Sequence, residues 1–260
     1  MNLTKQAIQK DLARLGVCPG DMILMHSSFK SLGPVKGGAA VFFEAFLELL
    51  GPEGTLILPA LSFSEVTREQ RVFDRQSTPS CVGYLTNFFR TQVPGVVRSL
   101  HGTHSCCAVG KYARELIDGH ERDATPVGEH SPFAKLPKYG GKILMLGCGT
   151  RCNTSMHGVE ETVTPMRFIN WEEPVEYELR DGEKVLRVRS YRHHFWTADG
   201  ERIQQRYDRL LPLLDEGELR QGKVLCADCY LMDAAAVWKK GHDTMEKEPC
   251  FFVQFPGEPD

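Results

Sequence analysis

Three short apolar runs, each stopping abruptly in small polar residues, constrain this chain more than any other feature. Met22 to Met25 runs into His26-Ser27-Ser28-Phe29, Thr55 to Leu58 into Pro59-Ala60-Leu61-Ser62, and Ile143 to Leu146 into Gly147-Cys148-Gly149-Thr150. Runs of this length, bounded by Gly and small polar residues, read as buried strands that reach the edge of a sheet and open into loops. Helical patterns separate them. Apolar positions Ile8, Leu12 and Leu15 predict an amphipathic helix over 4–15 with Thr4 as its cap, and further helices are expected over Val41 to Leu50 and around Gly83 to Arg90. Strand, loop and helix in this order predict an open α/β sheet, which places its chemistry at such strand ends.

From Trp171 onward the pattern changes. Val175 to Leu179 and Lys184 to Arg189, joined across Asp181-Gly182, predict a β-hairpin. A helix near Tyr207 to Leu214, a strand near 223–226, a helix near Asp233 to Lys239 and a last strand at Phe251 to Phe255 complete the expectation. No linker, repeat or low-complexity segment interrupts the chain. The expected fold is α/β, one domain over 1–260 with a mixed central sheet flanked by helices.

Composition narrows the partners. The formal net charge is −3 over 260 residues. No basic surplus exists to neutralise a phosphate backbone, so nucleic acid is not expected as a partner. No apolar run approaches the roughly 20 residues needed to span a bilayer, so no membrane partner is expected. The first residues lack the apolar core of a signal peptide, which points to the cytoplasm. Nine cysteines, an odd number scattered through a long chain, do not read as a secreted disulfide framework. Cys148/Cys152 and Cys226/Cys229 differ in spacing and context, unlike the matched pairs of a structural zinc site, so no metal is expected.

The chemistry concentrates after the third strand, in Cys148-Gly149-Thr150-Arg151-Cys152-Asn153-Thr154-Ser155-Met156-His157-Gly158-Val159-Glu160-Glu161. If Asn153 or Thr154 caps a helix, His157 and Glu160 stand three apart on one face. A carboxylate beside a histidine fixes its tautomer and stabilises the imidazolium, which is the minimal general-base unit. A surface or capping histidine would show the same local pattern. Gly37 and Gly38 before the Val41 helix allow close backbone approach to an anion, or simply make a tight turn. Arg98, Ser99, His101 and Ser105 could gather a phosphate, or enter a strand as ordinary polar residues. Glu65 and Asp74 place acids in the loops after the second strand.

Five motifs in order resemble one family. His26 to Ala39 (H-S-S-F-K-S-L-G-P-V-K-G-G-A), Gly54 to Pro59 (G-T-L-I-L-P), Arg98 to Ser105 (R-S-x-H-x-x-x-S), His130 to Phe133 (H-S-P-F) and Asn153 to Glu160 (N-T-S-M-H-G-V-E) are similar to those of the aminoglycoside 3-N-acetyltransferase, or antibiotic N-acetyltransferase, family. The resemblance spans about residues 5–240. It implies an α/β fold of its own, acetyl-CoA as co-substrate, and direct acetyl transfer to a primary amine, in the family the 3-amino group of a 2-deoxystreptamine antibiotic. Carried over by residue, it implies His157 as catalytic base with Glu160; on physical grounds the backbone N–H groups of Ser27 and Ser28, or the Thr154 hydroxyl, could bind the oxyanion of the transition state. It implies CoA contacts from His26, Ser27, Ser28, Phe29, Val35, Lys36, Gly37, Gly38, Arg98, Ser99, His101 and Ser105, and an acid near the substrate amine at Glu65.

The chain departs from that pattern in places. Gly102 and Leu225 replace a usual Pro and a usual Gly. Arg192-His193-His194 stands after the hairpin where acids are expected for a polycationic substrate, which leaves Glu65, Asp74, Glu172 or Glu173 to provide the acids. Aminoglycosides are therefore expected to be moderate substrates. An N-acetyltransferase for another amino sugar or metabolite amine, and a CoA- or carbohydrate-binding module without catalysis, are the alternatives. His157 with Glu160 separates enzyme from binder. An acetyl-enzyme on Cys152, five residues from His157, ranks below direct transfer.

Overall fold

The structure is a computed structural model and describes residues 3–259. In chain order its strands are β1 (Met22–Ser27), β2 (Thr55–Pro59), β3 (Val72–Asp74), β4 (Val97–Arg98), β5 (Cys106–Gly110), β6 (Lys142–Leu146), β7 (Val175–Asp181), β8 (Lys184–Ser190), β9 (Gln204–Gln205), β10 (Leu219–Val224), β11 (Ala227–Asp233) and β12 (Val253–Gln254). The α-helices are α1 (Leu3–Leu15), α2 (Gly38–Leu50), α3 (Tyr84–Gln92), α4 (Ala113–Ile117), α5 (Pro132–Lys135), α6 (Ser155–Glu161) and α7 (Ala234–Lys247).

Seven strands form the main sheet in the order β10-β11-β6-β1-β2-β5-β4. The middle three, β6, β1 and β2, are parallel; the outer pairs run antiparallel to their neighbours. Their side chains alternate between two cores, as the period of two in a strand requires. Ile23, Met25, Leu56, Leu58, Leu144 and Leu146 face α1, α2 and α3. Met22, Leu24, Ile57, Ile143 and Met145 face α4, α6 and α7. With both faces covered, these strands carry apolar residues on both faces over most of their length, which made them legible as short uninterrupted runs. The expected hairpin is β7–β8. It joins β3 in a separate three-stranded sheet with its own small core of Val66, Phe73, Leu100, Tyr177 and Leu179.

Several boundaries differ from the sequence reading. The strand expected near 223–226 is a hairpin, β10–β11, and β11 is the inner strand that pairs β6. Asp228 and Tyr230 interrupt its apolar run, and the reversal falls at Leu225-Cys226. Leu225 has φ 52°, the sole left-handed non-glycine among the described residues, so the glycine expected there has a physical reason. The helix expected over 207–214 is a 3-10 helix, Tyr207–Leu213, with Pro212 inside it. The last strand contracts to β12, paired with β9. The α7 helix runs on to Lys247 because Gly241 is a contact site, not a stop. A Cβ on Gly241 would lie 2.9 Å from Val159, and one on Gly158 would lie 2.4 Å from the Trp238 ring. These two glycines let α6 lie close against α7, which seats the helix that carries His157. No helix of the described residues is long and apolar enough to cross a membrane.

Candidate active site

The three parallel strands end on the same side of the sheet. Met25, His26 and Ser27 at the end of β1, Pro59 and Leu61 after β2, and Cys148 after β6 line one cavity of about 540 Å³. The loop after β6 leads into α6, whose first turn brings Thr154 and His157 to the same cavity. The start of α6 is not capped by the Thr154 side chain. Asn153 instead accepts the Ser155 N–H at 3.2 Å. Tyr207, from the 3-10 helix, closes the wall behind His157.

His157 and Glu160 meet as the i, i+3 spacing predicts, with Nδ1 3.1 Å from a Glu160 carboxylate oxygen. Tyr207 adds what the spacing did not show. Its hydroxyl donates to the other Glu160 oxygen at 3.0 Å and lies 2.9 Å from His157 Nδ1. A hydroxyl that has given its one proton to Glu160 can only accept from the ring, so Nδ1 carries the hydrogen. Nε2 is left unprotonated in a ring that lines the cavity. Burial and the neighbouring Glu160 hold the Tyr207 phenol well above its ordinary range, so it stays neutral. Tyr207→Phe is expected to lower kcat by about 10- to 100-fold, the scale of one hydrogen bond to a charged partner, with the KM for acetyl-CoA little changed. Steady-state kinetics check this, and an unchanged kcat would remove Tyr207 from the machinery.

Other histidines surround His157. His193 stacks on His157 with ring centroids 4.2 Å apart, and His104 meets both rings edge-on at 5.1 and 6.1 Å. Burial, seconded by His157, depresses all of His26 (to about 3), His104 and His193, so they are neutral and add no charge to oppose an imidazolium at His157. The Nε2 of His193 lies 3.1 Å from Glu161. Burial raises Glu161 to about 8, so this contact is a neutral carboxyl donating to a neutral imidazole rather than an ion pair.

A second cavity, about 230 Å³, opens beside His157 and shares Phe63, Arg202 and Gln205 with the first. Arg192 and His193 line it, two of the three residues expected after the hairpin to meet substrate. The third, His194, is exposed and lines neither cavity.

The acids expected near the substrate are elsewhere. Glu65 is exposed and lines neither cavity. Asp74 accepts from the N–H groups of Gln76 and Ser77 and the Ser77 hydroxyl, which makes it the anchor of a turn. Glu173 pairs with Arg68.

The Arg98 to Ser105 segment is the clearest correction. Arg98 is 4 % exposed. Its guanidinium donates to the Ser105 hydroxyl at 3.0 Å, the Ala60 carbonyl at 2.9 Å and the carbonyls of Thr78 and Arg75, and it lies over the Phe73 ring. Ser99 bonds His120 and the Cys106 N–H, Ser105 donates to Ala60, and His101 accepts from the N–H groups of Thr103 and His104. These groups are buried and mostly spent on their neighbours, so this segment ties β4 and β5 to the strand end at Ala60 and lies off the cavity that His157 lines; among them the His101 Nε2 is left without a partner. Of the His26 to Gly38 loop, only His26 and Ser27 line the cavity. Phe29 packs on Phe42 and Tyr84, Val35 packs on the core, and Ser28, Lys36, Gly37 and Gly38 lie off the cavity wall. The Ser28 N–H is already bonded to the Leu146 carbonyl at 2.9 Å, which removes it as an oxyanion donor. The Thr154 hydroxyl has no partner among the described residues and lines the cavity.

Cys152 also lines it, but His157 hydrogen-bonds Glu160 and Tyr207 and no thiol. All nine cysteines are free. Among the described residues no group of three or more His, Cys, Asp or Glu side chains is placed to hold a metal ion.

Phe63, His104, Arg151, Phe195, Arg202, Gln205 and Tyr207 were not foreseen as site residues. No local pattern marks them: Phe63, His104 and Arg151 arrive from separate loops, and the others from the segment 195–207 far along the chain.

A histidine held by a buried carboxylate and a phenol thus stands at the mouth of parallel strand ends, between two adjoining cavities. Residues 24–246 match the aminoglycoside 3-N-acetyltransferase family. An aminoglycoside N(3)-acetyltransferase III from Salmonella sp is 32% identical over 94% of this chain and 92% of that one. An aminoglycoside N(3)-acetyltransferase IX from Micromonospora chalcea is 30% identical over 91% of each. Among solved structures, AAC-IIIb in a binary complex with CoASH superposes with a TM-score of 0.77 at 27% identity, over 98% of each chain. A mutant aminoglycoside acetyltransferase in complex with gentamicin superposes with a TM-score of 0.78 at 26% identity, over 97% of this chain and 92% of that one. The chain belongs to the aminoglycoside 3-N-acetyltransferase family and is an enzyme of the acyltransferase class.

Proposed function

We propose that this enzyme transfers the acetyl group of acetyl-CoA directly to a primary amine, with His157 as general base. The observation that carries the reading is the double commitment of His157 Nδ1 to Glu160 and Tyr207, which leaves Nε2 as the proton acceptor. An amine is mostly protonated near neutral pH and attacks only after losing that proton. In the step, the amine nitrogen bonds to the thioester carbonyl carbon as Nε2 takes a proton. Collapse of the tetrahedral intermediate breaks the C–S bond, and the proton passes to sulfur, so the products are an amide and the CoA thiol. The free Thr154 hydroxyl is the donor best placed for the oxyanion.

The larger cavity suits the pantetheine arm and thioester, with His26, Ser27 and Thr154 along it. The acceptor then approaches through the smaller one. The N(3) amine of an aminoglycoside, on which the named relatives act, is the reference acceptor. Nine free thiols and the absence of a long apolar helix among the described residues support work in the reducing cytoplasm. The test is thiol release from acetyl-CoA with a panel of amines, beside calorimetric titration of CoA alone. Release that depends on the amine is expected, together with CoA binding that needs no amine. CoA binding without release for any amine would reduce the protein to a binding module.

A further inference from the structure

The smaller cavity contains no carboxylate. Its polar lining beside His157 is Arg192, Arg202, His193, His104, Thr103 and Gln205, with the rings of Phe63 and Phe195 completing the wall. The larger cavity likewise lacks Asp and Glu. The nearest acid to the base, Glu160, is buried and occupied by His157 and Tyr207.

Two guanidinium charges in this cleft are not neutralised. Arg192 donates to the Val66 carbonyl at 2.8 Å, the Tyr177 hydroxyl at 3.0 Å and the Phe63 carbonyl at 2.9 Å. These neutral partners fix the group and leave its charge intact. Arg202 is exposed and has no hydrogen bond or ion pair among the described residues. The third arginine of the cleft, Arg151, lies on the side of the larger cavity and is paired with Asp208 at 3.1 Å. Arg192 lines only the smaller cavity, where the thioester has no need of it.

A fixed charge in a partly enclosed cleft repels like charges and selects the opposite sign. A polycation would bring several ammonium groups against two guanidinium groups with no acid to receive them. We propose that the preferred acceptor is a small primary amine that also carries a phosphate or carboxylate, held by Arg202 and Arg192 while its amine faces His157. The anionic group would take the bidentate donors that arginine presents, and the flanking rings would hold the carbon skeleton. This rests on the acetyl-transfer reading above and specifies its acceptor.

The experiment measures thiol release by the full chain at saturating acetyl-CoA with four acceptors: glucosamine 6-phosphate, glucosaminic acid, glucosamine and gentamicin. The kcat/KM for at least one anionic amine is expected to exceed that for glucosamine by about tenfold or more, the scale of one or two partly exposed charge contacts. Whichever of the two anionic acceptors leads identifies phosphate or carboxylate as the recognised group. That advantage should shrink as potassium chloride is raised, and Arg202→Gln should bring the ratio of anionic to plain amine toward one. Gentamicin or glucosamine used as well as both anionic amines would overturn the inference while leaving acetyl transfer standing. A ratio untouched by Arg202→Gln and by salt would overturn it as well. Thiol release with none of the four would remove the acetyl-transfer reading, and the inference with it.

Discussion

His157→Gln is expected to lower kcat by about two to four orders of magnitude, the usual scale for loss of a general base. The glutamine keeps a polar group of similar reach and cannot take a proton, so the loss should lie in the chemical step. CoA affinity should hardly change, because the thioester cavity is built mainly from the ends of β1, β2 and β6. The pairing of His157 with Glu160 and Tyr207 sharpens the expectation. Without a ring nitrogen to donate to them, Glu160 remains a buried carboxylate facing only the Tyr207 hydroxyl, so a modest loss of stability should accompany the loss of rate. Single-turnover kinetics with calorimetry separates the two effects. A variant that turns over at near-normal rate would show that the proton leaves by another route.

The stability of the fold is expected to fall steeply below about pH 6. Five histidines are held neutral by burial: His26 at about 3, His101 at about 4, and His104, His120 and His193 well below their ordinary value. In the unfolded chain each takes up a proton near pH 6.5. Their contribution is therefore whole above that pH and is lost as the pH falls toward the folded values, at about 1.4 kcal/mol per pH unit for each. Glu161, raised to about 8 by burial, has the opposite sign and adds stability as the pH falls from 8 toward its unfolded 4.5. Asp123, also raised by burial, acts in the same direction as Glu161. Those two offset part of the loss. Several rings titrating together weigh heavily against a total stability of about 5–15 kcal/mol, so unfolding is expected as the pH falls toward 5. Urea titrations at pH 8, 7, 6 and 5 measure it. Equal free energies at pH 7.5 and 5 would mean that these rings reach water in the folded protein.

How much of this was legible from residues alone differs by feature. The parallel strands β1, β2 and β6 stood out because both faces of each are covered. Strand β11, also paired on both sides, did not, because Asp228 and Tyr230 interrupt its pattern near the turn. The Arg98 to Ser105 segment shows the limit most clearly. Arginine, serine and histidine close together are the residue types that bind phosphate, and they are equally the types that brace a buried strand end. The choice depends on what the guanidinium meets, and the Arg98 group, 4 % exposed, meets carbonyls and the Ser105 hydroxyl.

The sequence by itself determined what lies within a few residues along the chain. It settled the strand ends, the loop-to-helix passage after β6, and the facing of His157 and Glu160 one turn apart, because backbone hydrogen bonding sets those geometries locally. Its ordered motifs also carried the family. The tertiary structure alone decided the rest. It brought Tyr207 from fifty positions away onto His157, laid His193 over the same ring, spent the Arg98 donors on carbonyls, and left Arg192 and Arg202 in a cleft without acids. These are matters of burial and of charge meeting charge across long chain separations. Desolvation and pairing depend on which surfaces pack together, and no local spacing encodes that.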